Sequence, residues 1–457
     1  VALALLTTER PRPDRIRTRP GAWRLAVTTV CFGAFMGQLD ASVVTLTYPA
    51  LQRDFHAPLA AVQWVSLSYL LALVALLVPV GRFSDARGRK LMYLYGFALF
   101  TAASAACGLA PDLAVLIGCR VVQALGAALL QANSVALVTT SAPRERMRGA
   151  LGMQAAGQAL GLALGPTVGG ALVATAGWRW VFGINVPVGL LAMVAGHFLL
   201  PRTRRRAADS RTDPPSVLLL GCATTGALLA LSAVSGLHLP GWAPAALLLA
   251  AAAAGWAFVR RQLRRPRPLV DLRVLAAERI GTGLLGALGG YLVLFGPLVL
   301  VPVVFDQRHL PTWAAGTVLT ALPLGFALAA TLGDRLLPAG WDDRLRARAG
   351  ALGALATLAL LAPLTGAPAA LPLPLGLLGL ALGVFTPANN TLVMRAVPVA
   401  SAGTGGGLVN MARGLGTALG VAAVTLALHF AGPATAVAAL LGAAAVTLLT
   451  TFTRRGR

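Results

Sequence analysis

A chain of 457 residues in which 57% are hydrophobic and only 12% charged inverts the balance of a soluble domain. Apolar stretches near the roughly 20 residues needed to cross a ~30 Å hydrocarbon layer recur along the whole length, so the sequence reads as an integral membrane protein of helices rather than barrel strands. The net charge of +23 raises the question of a nucleic-acid partner, but no basic segment carries interleaved aromatics or a nucleic-acid module, and that class is set aside.

In chain order, residues 1–23 carry the basic stretch "TTERPRPDRIRTRPGAWR", which extends to Arg24, and are expected to be a solvated tail. Fourteen spans are predicted. Six lie near 24–49, 60–80, 91–109, 112–139, 149–176 and 179–200, two near 216–236 and 241–261, and six near 280–304, 313–338, 347–366, 369–396, 403–430 and 432–453. The expected fold is all-α: two six-helix bundles, 24–200 and 280–453, separated by 201–279 with two extra central helices, and closed by a tail at 454–457. Of the 38 basic residues, 33 fall in the tails or alternate loops, three (Arg53, Arg179, Arg308) in the opposite loops and two (Arg120, Arg413) inside spans. That asymmetry is the positive-inside signature, which puts both termini in the cytoplasm and the chain in the cytoplasmic membrane, its positive loops facing anionic lipid headgroups.

The two halves resemble each other at an offset of 255: Pro143, Gly152, Gly161, Gly165 and Gly177 match Pro398, Gly407, Gly416, Gly420 and Gly432. Repeated halves with a site at their interface suit alternating access. The segment "GRFSDARGRK" at 81–90 joins the second and third spans; its one acid, Asp85, sits where a carboxylate can meet a neighbouring helix N-terminus or an arginine and latch that side shut. The fourth span, "RVVQALGAALLQANSVAL", holds Arg120, a charge that costs at least a few kcal/mol in a membrane unless paired or solvated. Gly157, Gly161 and Gly165 in the fifth lie four apart, on one face, ahead of Pro166, Gly169 and Gly170; such spacing lets backbones approach, and an interior proline is expected to kink the helix.

Those motifs, with "LDASVVTLTYPAL", "WRWVFGINVPVGLL" and "AGTGGGLVNMARGLGTALGVA", resemble the major facilitator superfamily, and within it the 14-span drug:proton antiporter branch, over about residues 24 to 430. The resemblance implies a transporter, not an enzyme, with no cofactor or metal beyond the proton as coupling ion. It implies a gating loop at Gly81, Asp85, Gly88, Arg89 and Lys90, a proton-coupling pair Asp40 and Arg120, and an antiporter motif of Gly157, Gly161, Gly165, Pro166, Gly169 and Gly170. The matching loop of the second half, "GDRLLPAGWDDRLRARAG", departs from the pattern, which puts a gating role there in doubt.

The residues themselves make Asp40 central. Of 15 acidic residues it alone lies well inside a span. At ~1.5 Å per residue it sits roughly 22 Å from the cytoplasmic end, and Arg120 roughly 12 Å from the outer end of a ~30 Å layer, so the two share a level and can face each other. Burial raises a carboxyl pKa and a nearby arginine lowers it, so a site whose geometry alternates can bind and release a proton; the competing reading is a static pair joining two helices. The expected function is export of small amphipathic compounds by a monomer exchanging them for protons, with a proton-coupled importer or metabolite carrier as the alternative. Gln38, Gln131, Asn133, Asn389, Asn390 and Arg413 are the candidate cavity polars. The cysteines, Cys31, Cys107, Cys119 and Cys222, read as apolar packing, His197 and His429 as packed or interfacial, and Trp178, Trp180 and Trp313 as an interfacial belt. No HExxH, second buried acid or Ser-His pair at one depth supports an intramembrane enzyme.

Overall fold

The computed structural model describes residues 9, 11–17, 21–203, 213–234, 240–265, 268–277, 280–308, 312–338, 340–364 and 367–452. Its long helices are α1 (Ala22–Val43), α2 (Trp64–Arg87), α3 (Arg89–Gly108), α4 (Leu113–Ser141), α5 (Met147–Thr175), α6 (Asn185–Leu199), α7 (Pro214–Val234), α8 (Ala243–Arg264), α9 (Ile280–Gln307), α10 (Thr312–Leu336), α11 (Asp343–Leu364), α12 (Pro372–Ala396), α13 (Ala402–Ala431) and α14 (Pro433–Phe452). Among the described residues, 12 helices are long and apolar enough to cross a membrane, α6 being taken with the short helix Arg179–Gly183. The protein is therefore a multi-pass membrane protein, but the expected count of fourteen is not reached among the described residues. Helices α5 and α7 stand outside that count, α7 being counted as an apolar helix only over Pro214–Ala230.

Local chemistry sets the helix ends. Asp112 caps α4 by accepting the Val115 N–H at 2.8 Å. Gly88 separates α2 from α3 at φ 115°, a conformation a side chain would strain. The first span does not run straight to residue 49. Helix α1 stops at Val43, a 3-10 turn covers Val44–Thr47, and a short helix, Tyr48–Phe55, begins anew with Pro49 in its first turn, where a missing N–H breaks no helical bond.

Packing repeats across the halves. Helix α1 lies on α5, α2 and α3 on α4, and α6 on α1 and α3; in the second half α9 lies on α13, α10 and α11 on α12, and α14 on α9 and α11. The halves meet where α2 touches α13 and α5 touches α10, with α4–α13 and α5–α12 contacts beside them, so each contact has a partner when the halves are exchanged. The 255-residue offset is visible as geometry. A Cβ on Gly161 would collide with the Phe35 carbonyl of α1, and one on Gly416 with the Leu288 carbonyl of α9; Gly165 and Gly420 repeat the clash one turn on, against Ser42 and Leu292.

Helices α7 and α8 pair with each other, and α7 rests on α2 and α13. Asp213 fastens the pair, accepting from Arg261 Nε at 2.7 Å and Arg261 Nη2 at 2.9 Å, bonds that hold its carboxyl well below the usual carboxylate range. The following linker turns back on Gln262, whose Oε1 accepts from Leu269 N at 2.6 Å, and is tied to the end of α2 by Arg82 Nη1, which donates to Leu269 O at 3.0 Å.

Candidate functional site

Five helices of the first half converge on Asp40. Its Oδ2 accepts from Arg120 Nη1 at 2.6 Å, and its Oδ1 accepts from Gln123 Nε2 at 3.1 Å and Asn185 Nδ2 at 3.0 Å. Arg120 also donates through Nε to Val65 O at 3.0 Å, through Nη1 to Gln123 Oε1, and stacks its guanidinium carbon 4.0 Å from the centre of the Tyr69 ring. Gln123 completes the set by donating to Ser104 Oγ at 2.7 Å. Asp40 is 2% exposed and Arg120 1%, so the pair is sealed from solvent. A buried charge pair needs further hydrogen bonds to offset its desolvation, and here both Asp40 oxygens and the Nε and Nη1 of Arg120 have them. The two residues that the sequence places at one level are thus in contact, and the sequence reading missed Asn185 and Tyr69 beside them.

A cavity of about 470 Å³ opens between α1, α5, α9 and α10. Its polar lining is Gln38, Gln158, Tyr291, Thr317 and Thr320, and its apolar walls include Phe295 and Phe326. Gln38 is the cavity candidate the structure places on that wall. Arg413 stands behind it, donating through Nη1 to Gln158 Oε1 at 3.2 Å. The others are not on that wall: Asn133 donates to Ser84 Oγ at 2.8 Å, Asn389 to Gly283 O at 2.9 Å, Asn390 is fully buried with neither side-chain polar atom hydrogen-bonded, and Gln131 meets Asn410 Nδ2 through its backbone carbonyl at 2.7 Å. Asn133 and Asn389 thus bond to neighbouring helices, as polar side chains in a membrane bundle commonly do.

The gating-loop residues join the halves at one end. Asp85 Oδ1 accepts the Gly403 N–H and Oδ2 the Thr404 N–H, both at 2.8 Å, which places a carboxylate on the first turn of α13 where the helix field favours it. Arg89 pairs with Asp85 at 2.8 Å and donates to Val399 O at 2.6 Å, while Lys90 donates to His197 O at 2.7 Å. Gly81 lies against Gly403 so closely that a Cβ would strike its carbonyl. The diverged loop of the second half also bridges to the first: Asp334 and Asp343 hold Arg148 of α5 at 2.6 and 2.8 Å. Replacing Asp85 with Asn removes the charge that meets α13. With the four native cysteines changed to serine, a cysteine at the buried Ala402 is expected to react with a maleimide about tenfold faster in Asp85→Asn than in its absence, since a hydrogen bond to a charged group is worth about 1.5–3 kcal/mol.

The glycine seam binds α5 to α1. A Cβ would stand 3.3 Å from Cys31 O at Gly157 and 2.7 Å from Val43 Cγ1 at Gly169, and would overlap Phe35 and Ser42 at Gly161 and Gly165; Gly170 has nothing within 4 Å. Helix α5 continues through position 166. Of the remaining sequence candidates, Trp178 is buried and donates to Asp54 Oδ2 at 2.7 Å, whereas Trp180 is exposed. Cys107 is buried, whereas Cys222 is exposed. The side chains of Trp313, His429 and Pro166 lie outside the described residues.

A bundle of two interchangeable halves, with a cavity between them and charged contacts that bridge them at one end, is the architecture of a membrane transporter. The chain belongs to the Major Facilitator Superfamily, whose family model matches residues 30–421. It is 32% identical over 443 residues to the drug efflux pump JefA of Mycobacterium tuberculosis, covering 92% of this chain and 82% of that one. The riboflavin transporter RibZ of Clostridioides difficile is 27% identical over 400 residues, 87% of this chain and 86% of its own. Among solved structures, the human organic anion transporter MFSD10 superposes with a TM-score of 0.71 over 95% of this chain and 100% of that chain at 17% identity.

Proposed function

We propose that the protein is a proton-coupled antiporter of the fourteen-span drug:proton branch, exporting small amphipathic compounds across the cytoplasmic membrane by alternating access. The observation that carries the reading is the enclosed Asp40–Arg120 contact on the same helix that lines the cavity. Gln38 faces the cavity while Asp40, two residues on, faces Arg120, so α1 cannot shift against the glycine seam without changing both sites. Protonating Asp40 removes the charge that holds Arg120, and deprotonation restores it. In this reading the arginine-rich Asp85 end is cytoplasmic, both termini lie there, and the latch closes that side while Asp40 exchanges its proton with the outside. Helices α5 and α7 complete the fourteen spans, α5 through its close packing on α1 and α7 through its pairing with α8. One transported charge across 100 mV is worth about 2.3 kcal/mol, enough for roughly a 50-fold gradient.

The name of the relative JefA supports efflux and that of RibZ keeps the alternative of an importer or metabolite carrier of the same fold. Two experiments address this. In an efflux-deficient strain, expression is expected to raise resistance across a panel of toxic compounds, and an uncoupler to remove that gain. In vesicles, accumulation of the responsive compound driven by an inward-acid gradient is expected in the inverted orientation; accumulation in right-side-out vesicles driven by an outward-acid gradient makes the protein an importer.

A further inference from the structure

Arg413 is the second guanidinium inside the bundle, and its surroundings differ from those of Arg120. It is 3% exposed. Its Nη1 donates to Gln158 Oε1 at 3.2 Å and Asn410 Oδ1 at 3.1 Å, both neutral acceptors, while its Nε and Nη2 have no hydrogen-bond partner. Its guanidinium carbon lies 5.2 Å from the centre of the Tyr291 ring, and Tyr291 in turn donates its hydroxyl to Gln158 Oε1 at 3.2 Å. No carboxylate forms an ion pair with it among the described residues. A buried guanidinium with most of its N–H groups unmet is costly, and where Arg120 is balanced by Asp40, Arg413 is balanced by no carboxylate among the described residues. Gln158 and Tyr291, two of the three residues it contacts, are cavity wall, and the whole wall of about 470 Å³ carries amide, phenol and hydroxyl groups but no acid.

We propose that the missing partner is the substrate: the cavity takes compounds bearing an acidic oxygen group, such as a carboxylate, phenolate or enolate, on an aromatic or aliphatic body. The acidic oxygen pairs with Arg413 through its free Nε and Nη2, flanked by Gln158 and Tyr291. Phe295 and Phe326 receive the apolar body. Organic cations are disfavoured, because bringing a second positive charge beside an uncompensated one raises the cost of both. The assignment rests on the cavity being the transport site but not on proton coupling. It also gives a reason for the Gln158–Arg413 pairing at corresponding positions of the two halves: one member supplies charge and the other orients it.

Equilibrium binding to purified protein, followed by thermal shift and tryptophan fluorescence, tests the assignment with three probes of one shape: 2-naphthoate, 2-naphthamide and 2-naphthylmethylammonium. The carboxylate is expected to bind about tenfold or more tighter than the amide, the worth of a charged hydrogen bond, and the ammonium weakest. Arg413→Gln is expected to level carboxylate and amide. Should Arg413→Gln fail to fold, Arg413→Lys is expected to keep the order with a smaller ratio, and Gln158→Glu, which supplies the counter-charge, to reverse the preference toward the ammonium. Carboxylate binding no tighter than the amide, or a preference that survives in Arg413→Gln or Gln158→Glu, overturns the proposal. Preference for the carboxylate without gradient-driven export would strike the exporter reading and leave this one; proton-driven export of a compound that ignores Arg413→Gln would do the reverse.

Discussion

Asp40→Asn is expected to abolish proton-driven transport while leaving the protein expressed and folded. Asparagine has nearly the shape of aspartate and keeps an acceptor for Gln123, Asn185 or Arg120, so the packing of α1, α4 and α6 is preserved. What it lacks is a proton to gain or lose. Arg120 then keeps a buried charge with no anion beside it, and breaking such a pair costs about 3–5 kcal/mol, so a lower melting temperature is expected even though the chain folds. Counterflow of labelled compound across vesicles without a gradient separates the two effects. If Asp40 carries the proton, exchange at equilibrium is retained and only the uphill, acid-driven component disappears. Loss of both, with a collapsed melting transition, would make Asp40–Arg120 a static brace, and unaltered uphill transport would remove Asp40 from the coupling step.

The second large effect is expected along the seam between α1 and α5. Leucine at Gly165 must enter space already occupied by Ser42, and at Gly161 the backbone of Phe35. Overpacking a helix contact costs about 1–3 kcal/mol where neighbours can yield, and here the neighbour at Gly161 is a carbonyl that cannot rotate away. Both variants are expected to lose export entirely and to melt at lower temperature, measured by resistance and by thermal shift on the same preparation. Gly170, though part of the same motif, faces open space, so Gly170→Ala is expected to retain resistance and stability. Wild-type export in Gly165→Leu would show that the seam is not under the tight contact described, and full loss in Gly170→Ala would require a role other than spacing.

The span pattern, the repeat and the Asp40–Arg120 contact were legible because each rests on an unusual residue in a uniform background. A lone carboxylate in an apolar helix needs a partner at its own depth, and the rise per residue supplied that depth. Asn185 was not legible: it lies where the sixth span is interrupted after Gly183, and an asparagine at a helix start reads as ordinary end chemistry. Tyr69 presents a ring face to Arg120 but looks like any core aromatic in one dimension. The cavity was read poorly for the same reason. Tyr291, Phe295 and Phe326 carry no mark that distinguishes wall from core, while Asn133, Asn389 and Asn390 attract notice and serve helix contacts or are buried away from the cavity. Gln158 could be found through the repeat, since it stands 255 residues before Arg413. The diverged loop around Asp334 and Asp343 departs from the spacing of the first-half motif, so its ion pairs to Arg148 could not be read from that pattern.

The central claim is that the Asp40 carboxyl changes protonation when the two ends of the transporter exchange accessibility. Infrared difference spectroscopy can read the protonated-carboxyl C=O band that Asp40→Asn removes. The band would be compared at one bulk pH in protein cross-linked shut across the Asp85 latch and in Asp85→Asn, whose latch is released. The account predicts that this band differs between the two preparations, one holding Asp40 protonated and the other ionised beside Arg120. The same band intensity in both preparations at that pH would contradict it.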